Sequence, residues 1–150
     1  MFKRFNEIDL RITTWMGRYS QLLMRLSLGV IFIWFGALKP LGMSPEAELI
    51  QRTVYWLPPE IVFPVLGLWE VAIGIGLIYR PMLRLALLLL LVELPGTFLP
   101  LILMPDVCFN SFPFGLSLEG QYIIKNLFLV AAAFAIGSQV RLGKDSNLLT

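Results

Sequence analysis

Four long apolar stretches dominate the pattern of hydrophobic and polar positions along the chain. They cover residues 19–38, 61–79, 82–104 and 120–140. A helix that crosses a bilayer needs about 20 mostly apolar residues, and each stretch is long enough. The pattern therefore predicts an all-α integral membrane protein, in which residues 19–140 form a bundle of four transmembrane helices.

Two shorter stretches predict helices that lie on the membrane surface. Residues 1–18 alternate apolar and charged positions, which is typical of an interfacial helix. Residues 44–56 open with Ser44 and Pro45, a signature of a helix N-cap and first position, so we expect a short outer surface helix here. The aromatic stretch 105–118 is predicted to fold back over the outer mouth of the bundle.

Lysine and arginine residues are concentrated on one predicted side of the membrane. Cytoplasmic loops of membrane proteins carry an excess of these residues. This distribution predicts that both termini are cytoplasmic, with residues 141–150 as a tail. The basic residues on that side are Lys3, Arg4, Arg11, Arg18, Arg25, Arg80, Arg84, Arg141 and Lys144.

The composition supports a membrane location and excludes several kinds of site. The chain is 57% hydrophobic and 15% charged, whereas soluble domains have about 45–50% apolar and about 25% charged residues. It has no histidine and a single cysteine, Cys108, so we expect no zinc site and no iron–sulfur cluster. A net charge of +2 without a basic, aromatic-rich run predicts no nucleic-acid partner.

Ionisable side chains inside the predicted spans are the strongest candidates for function. Each costs about 2.5–3.5 kcal/mol on insertion scales, and such residues are functional suspects by default. Glu70 and Glu93 fall near the midplane, Lys125 lies in the outer half, and Lys39 ends the first span. Pro95, close to Glu93, predicts a break in the third helix that faces protein or a wet cavity.

These residues predict an outward-facing polar pocket between the helices. Tyr122 and Lys125 share one face of the fourth helix, and Trp34 is expected to form an apolar wall beside Lys39. Two structural interpretations remain open. The acids and lysines pair to fix helix register, or the lysines reach the interface as anchors. The candidate ligand-binding residues are Trp34, Lys39, Glu70, Glu93, Tyr122 and Lys125.

Several segments resemble one family of membrane proteins. The segments are 25–42 (RLSLGVIFIWFGALKPLG), 67–84, 94–103 and 112–126. In order and spacing they resemble the DoxX-like proteins, closest to the YkgB-type branch. The resemblance implies a four-helix protein of the bacterial inner membrane. Some relatives are linked to quinone-coupled sulfur oxidation, and others to oxidative stress. The family pattern covers Arg25, Lys39, Glu70 and Lys125 but not Glu93.

The resemblance and the pocket together suggest three functions. The first is a redox- or stress-linked membrane subunit that binds a quinone-like or other lipophilic ligand, for which quinone is a candidate cofactor. Because no redox centre is predicted, electrons would come from a partner subunit. The alternatives are a non-catalytic accessory or assembly subunit of a larger complex, and a small oligomeric transporter or channel. Besides the lipid bilayer, we expect a second copy of the chain or partner redox subunits.

Overall fold

The structure is a computed structural model that describes the backbone of residues 2–145 and the side chains of residues 6–138 and 140. Helices form nearly all of this part of the chain. Their bounds are α1 Phe2–Leu38, α2 Ala47–Thr53, α3 Pro59–Ile78, α4 Leu83–Leu103, α5 Pro105–Cys108, α6 Leu118–Lys125 and α7 Leu127–Asp145. A short 3₁₀ turn, Arg80–Met82, joins α3 to α4. Strands β1 (Phe109–Ser111) and β2 (Gly115–Leu116) pair antiparallel.

Four helical segments are long and apolar enough to cross a membrane, as the hydropathy pattern predicts. They are Asn6–Leu38, Pro59–Ile78, Arg80–Leu103 and Leu118–Ser138. We call the end of the bundle with Arg80 and Arg84 the basic end. The opposite end, which carries α2 and residues 104–117, is the α2 end.

The first helix is longer than the sequence predicts. The expected interfacial helix and first span are a single helix, α1, of 37 residues. Gly17, near the expected junction, lies inside the helix, and no proline interrupts it. At 1.5 Å per residue α1 is about 55 Å long, whereas the hydrocarbon core of a bilayer is about 30 Å thick. Its N-terminal part therefore extends well beyond a single span.

The surface elements at the α2 end also differ from the predictions. Helix α2 begins at Ala47, after the N-cap Glu46, and not at Pro45. The Ala47 N–H instead donates to the Ser44 carbonyl in a preceding turn. The aromatic stretch 105–118 forms α5 and the two strands, and its Phe112 and Phe114 side chains are exposed.

Pro95 does not end a helix in the third span, and the helix of the fourth span is interrupted once. Helix α4 continues through Pro95 and Pro100, which have no N–H for the usual helical bond to the residue four positions before. In the fourth span, Asn126 separates α6 from α7. The Asn126 N–H donates to the Ile123 carbonyl, a tighter bond than the α-helical one.

Glycines bring α1 and α3 into close antiparallel contact. A Cβ atom on Gly36 would lie 2.8 Å from the Gly67 carbonyl oxygen, and one on Gly74 would lie 2.6 Å from the Gly29 carbonyl oxygen. Small residues of this kind allow helix backbones to approach in membranes. Gly29 and Gly36 are seven residues apart in α1, and Gly67 and Gly74 are seven residues apart in α3. The contact therefore follows one face along each helix.

The apolar core occupies the half of the bundle near the basic end. It contains Leu28 and Phe32 of α1, Ile73 and Leu77 of α3, Leu83, Ala86, Leu87, Leu90 and Leu94 of α4, and Ala132, Ala133 and Ile136 of α7. Arg25 closes this half, since its guanidinium donates to the carbonyls of Leu77 and Ile78 at the end of α3. Such a cation satisfies carbonyls that a helix end leaves unpaired.

Candidate functional site

A cavity of about 490 Å³ occupies the half of the bundle near the α2 end. Small-molecule sites have volumes of about 300–1,000 Å³ and mostly apolar linings with a few polar groups. This cavity fits that description, because most of its surface comes from aliphatic side chains and prolines. Its polar lining residues are Lys39, Glu46, Thr53, Trp69, Glu70, Glu93, Thr97, Glu119, Tyr122 and Asn126.

Lys39 enters the cavity because α1 ends just before it. Pro40 cannot continue the helix, and Gly42 turns the chain away with a φ of 69°. The Lys39 ammonium lies 2.7 Å from a carboxylate oxygen of Glu70 and 3.7 Å from one of Glu46. The Lys39 side chain is 2% exposed. It therefore forms a buried ion pair and does not extend to the membrane surface as an anchor.

The pairing of Lys39 with Glu70 leaves two buried polar atoms of the lining unexplained. The Nε1 atom of Trp69 and the Oε2 atom of Glu93 have no hydrogen-bond partner within the described part of the chain. Buried polar atoms are nearly always hydrogen-bonded to protein or to ordered water. The cavity thus presents an unused donor and an unused acceptor, which an enclosed molecule can satisfy.

The cavity also opens sideways between the spanning helices. Val65 of α3, Val92 of α4 and Tyr122 of α6 belong to the lining, and all three side chains are largely exposed. Exposed apolar residues at the middle of spanning helices face lipid when the helices lie in a membrane. One side of the cavity lining therefore lies on the surface of the spanning helices, which is the surface that a bilayer would contact.

Helix α2 closes the cavity on the aqueous side. Glu46, Leu49, Ile50 and Thr53 all belong to the lining. Their spacing follows one face of a helix. The predicted cover, residues 105–118, contributes nothing to the lining as described. The amphipathic pattern of the α2 segment is the sequence signal that could have indicated its role in closing the cavity. The aromatic content of residues 105–118 instead suggested that this later segment lines the cavity, which it does not.

The structure brings together four of the six predicted site residues. Lys39, Glu70, Glu93 and Tyr122 line the cavity. Trp34 points away from the bundle with 66% of its surface exposed. Lys125 is exposed too, and its ammonium lies 5.4 Å from the centre of the Tyr122 ring, within cation–π distance.

Other lining residues were not predicted from the sequence. Trp69 and Asn126 are two of them. Asn126 follows Lys125 by a single position but lies on the inner side at the α6–α7 irregularity. The rotation of the helix about its axis alone decides that the Lys125 side chain is exposed and that the Asn126 side chain faces inward. Among the described residues, no group of three or more His, Cys, Asp or Glu side chains is placed to hold a metal ion.

No protein-family model, no curated protein and no solved structure matches this chain. The resemblance to the DoxX-like family therefore stays a prediction that depends on the segments quoted above. Within those segments the structure gives clear positions for the shared residues. Arg25 caps α3, Lys39 and Glu70 form the buried ion pair, and Lys125 lies outside the cavity.

Proposed function

We propose that this chain is a membrane-embedded binding subunit for a small lipophilic molecule with a polar head group. The observation that supports it most strongly is the pair of unpartnered atoms, Trp69 Nε1 and Glu93 Oε2, in a cavity that opens toward lipid. The Lys39–Glu70 ion pair alone is explained by structural pairing. Such pairing does not explain Trp69 Nε1 and Glu93 Oε2, because neither atom has a hydrogen-bond partner in the described part of the chain, although the Glu93 carboxyl lies beside that of Glu70.

A quinone-like head group suits these two atoms. A quinol hydroxyl both accepts and donates, so it can accept from the Trp69 N–H and donate to the unpartnered Oε2 atom of Glu93. The Tyr122 ring and the aliphatic lining suit the apolar part of such a molecule. In this proposal the protein binds and orients the head group, and a partner redox subunit exchanges electrons with it.

The proposed setting is the bacterial inner membrane, with both termini and the basic end in the cytoplasm. Arg80 and Arg84 join two spans at that end, whereas Glu46, Glu48, Glu60, Asp106 and Glu119 are found toward the α2 end. This distribution follows the usual bias of lysine and arginine toward cytoplasmic loops. The cavity then lies in the outer half of the membrane, beneath α2.

Trp69→Phe tests the proposed site, because it removes the indole N–H and keeps an aromatic ring. We expect a short-chain ubiquinone analogue to bind the purified protein, and Trp69→Phe to weaken binding by up to about tenfold, as for loss of one buried hydrogen bond. Trp34→Phe is the matched control, and its affinity should stay at the wild-type value. Isothermal titration calorimetry with empty-micelle blanks measures both.

A second measurement searches for the natural molecule. Protein extracted with its native lipids should carry a lipophile that mass spectrometry finds enriched over bulk lipid. Trp69→Phe should reduce that enrichment, and Trp34→Phe should not. If no lipophile is enriched and no quinone analogue binds, the proposed function is wrong.

A further inference from the structure

The charges around the cavity are unequal. The lining contains four carboxyl groups, those of Glu46, Glu70, Glu93 and Glu119, but a single ammonium, that of Lys39. This ammonium already contacts Glu70 and Glu46. Glu93 therefore has no cationic partner among the described side chains. Burying an ionised carboxyl in apolar surroundings costs several kcal/mol unless a cation compensates it or a proton neutralises it.

The walls beside Glu93 are suited to a cation that is itself apolar. Trp69 and Tyr122 both line the cavity. The faces of such rings attract ammonium-like and phosphonium-like groups. An anion of the same size would meet carboxylates on several sides. Because the cavity opens to lipid at Val65 and Val92, a lipophilic cation that dissolves in the bilayer has access to it.

We infer that the cavity binds lipophilic organic cations, and that the bound cation replaces a proton on Glu93. The inference rests on the proposed lipophile site and adds organic cations to the molecules that this site accepts. When the cation binds, the O–H bond of the Glu93 carboxyl breaks and the proton leaves to water. The carboxylate that remains is the counter-ion of the cation, and no electron is transferred.

Glu93 is the group most suited to this exchange among those that surround it. Glu46 and Glu119 are exposed near the mouth, where water screens their charges. Glu70 is held by the Lys39 ammonium at 2.7 Å. The charged and titratable groups that share the cavity with Glu93 are Lys39 after α1, Glu46 before α2, Glu70 from α3, and Glu119 and Tyr122 from α6.

Two probes of nearly equal size and opposite charge test the inference. Tetraphenylphosphonium and tetraphenylborate are titrated into the full-length protein in detergent, with empty micelles as the blank. We expect tetraphenylphosphonium to bind at least about tenfold more tightly than tetraphenylborate. Its affinity should rise with pH by up to about tenfold per unit, because a proton competes for the same carboxyl. Calorimetry in buffers of different ionisation enthalpy should show proton release on binding.

Matched variants locate the exchange at Glu93. Glu93→Gln should weaken tetraphenylphosphonium binding by at least about tenfold and abolish its pH dependence. Glu60→Gln removes the same charge from an exposed position outside the cavity lining, so the affinity should change by less than about threefold. If Glu93→Gln does not fold, Glu93→Asp replaces it and should retain pH-dependent binding. Wild-type binding at two pH values tests proton competition without any variant.

The outcomes separate this inference from the proposed function. If tetraphenylphosphonium fails to bind while the neutral ubiquinone analogue binds, the cation inference is overturned and the lipophile site stands. Cation binding that is independent of pH, or unchanged in Glu93→Gln, also overturns the inference. If neither probe nor the quinone analogue binds, both proposals are wrong.

Discussion

At the scale of single residues, the position of Lys39 separates the two structural interpretations that the sequence left open, pairing and anchoring. A lysine at the end of a hydrophobic helix is typical of a membrane anchor. Here the side chain turns back into the protein, because Pro40 and Gly42 redirect the chain and Glu70 offers a partner. The residue therefore holds a carboxylate inside the bundle.

Loss of the Lys39 ammonium should destabilise the protein. Lys39→Met leaves Glu70 buried without its cation, which costs about 3 kcal/mol or more in the free energy of unfolding. Replacing both residues, as in Lys39→Met with Glu70→Gln, should recover much of that loss because no charge remains unpaired. Thermal and denaturant unfolding in detergent measure the differences.

Lys125→Met is the control for the lysine substitution. Lys125 is exposed, so the same change of side chain should alter stability by less than about 0.5 kcal/mol. If Lys39→Met is as stable as Lys125→Met, the contact of Lys39 with Glu70 contributes nothing to the free energy of unfolding.

The single cysteine gives a second residue-scale prediction. Cys108 is 0% exposed, and its burial, followed by the nearby Glu119 carboxylate, raises the pKa of its thiol. The thiolate is the reactive form, and a raised pKa reduces its population at neutral pH. Folded protein should thus react slowly with maleimide at pH 7, and faster as the pH rises. Denatured protein should react fully, and fast reaction of the folded protein at pH 7 would contradict the buried position.

At the scale of elements, the α1–α3 contact positions the site. Gly36 and Gly67 lie within one turn of Lys39 and Glu70, and their lack of side chains lets the two helices approach closely enough for the ion pair. Small residues such as Gly67 and Gly74 of α3 are typical of close helix contacts in membranes. Their partners Gly36 and Gly29 became clear only when the two helices were seen together.

Gly36→Ala should weaken both the fold and the site. The added methyl group would lie 2.8 Å from the Gly67 carbonyl oxygen and 2.9 Å from the Glu70 Cβ, so the helices must separate. Such overpacking costs about 1–3 kcal/mol. Gly17→Ala is the control, since nothing lies within 4 Å of the added atom. It should leave stability unchanged or raise it by up to about 1 kcal/mol. The unfolding midpoints of the two variants test this prediction. Equal midpoints would contradict the close packing of α1 against α3.

At the scale of the whole molecule, the two halves of the bundle differ in how they are packed. The half near the basic end is a packed apolar core closed by Arg25. The half near the α2 end contains the cavity, the ion pair and the unpartnered polar atoms. A packed half gives the helices a fixed arrangement, and this arrangement lets the other half keep an open volume.

The proposed orientation of the molecule predicts which cysteines are reachable from outside the cell. In a Cys108→Ser background, Ser111→Cys lies at the α2 end and should react with a membrane-impermeant maleimide in intact spheroplasts. Thr13→Cys, on the N-terminal part of α1, should react only after lysis. Both positions are exposed, so a difference in labelling between the two cysteines cannot come from burial of one of them. The opposite labelling pattern would reverse the topology.

The sequence by itself determined the class of the protein and the approximate ends of its four apolar spans. Hydropathy is a property of about 20 consecutive residues, so it needs no knowledge of how the helices pack. It also identified Glu70 and Glu93 as unusual, because an ionisable residue within an apolar run is visible without a structure.

Only the tertiary structure decided which side chains meet. A turn of a helix about its axis exchanges inward and outward residues, and for this reason Lys125 and Trp34 lie outside the cavity while Asn126 and Trp69 line it. The closing role of α2 and the pairing of Lys39 with Glu70 depend on contacts between residues far apart in the chain. Periodicity and composition are local properties, whereas helix rotation and axial register are set by packing between helices, here by the paired glycines of α1 and α3.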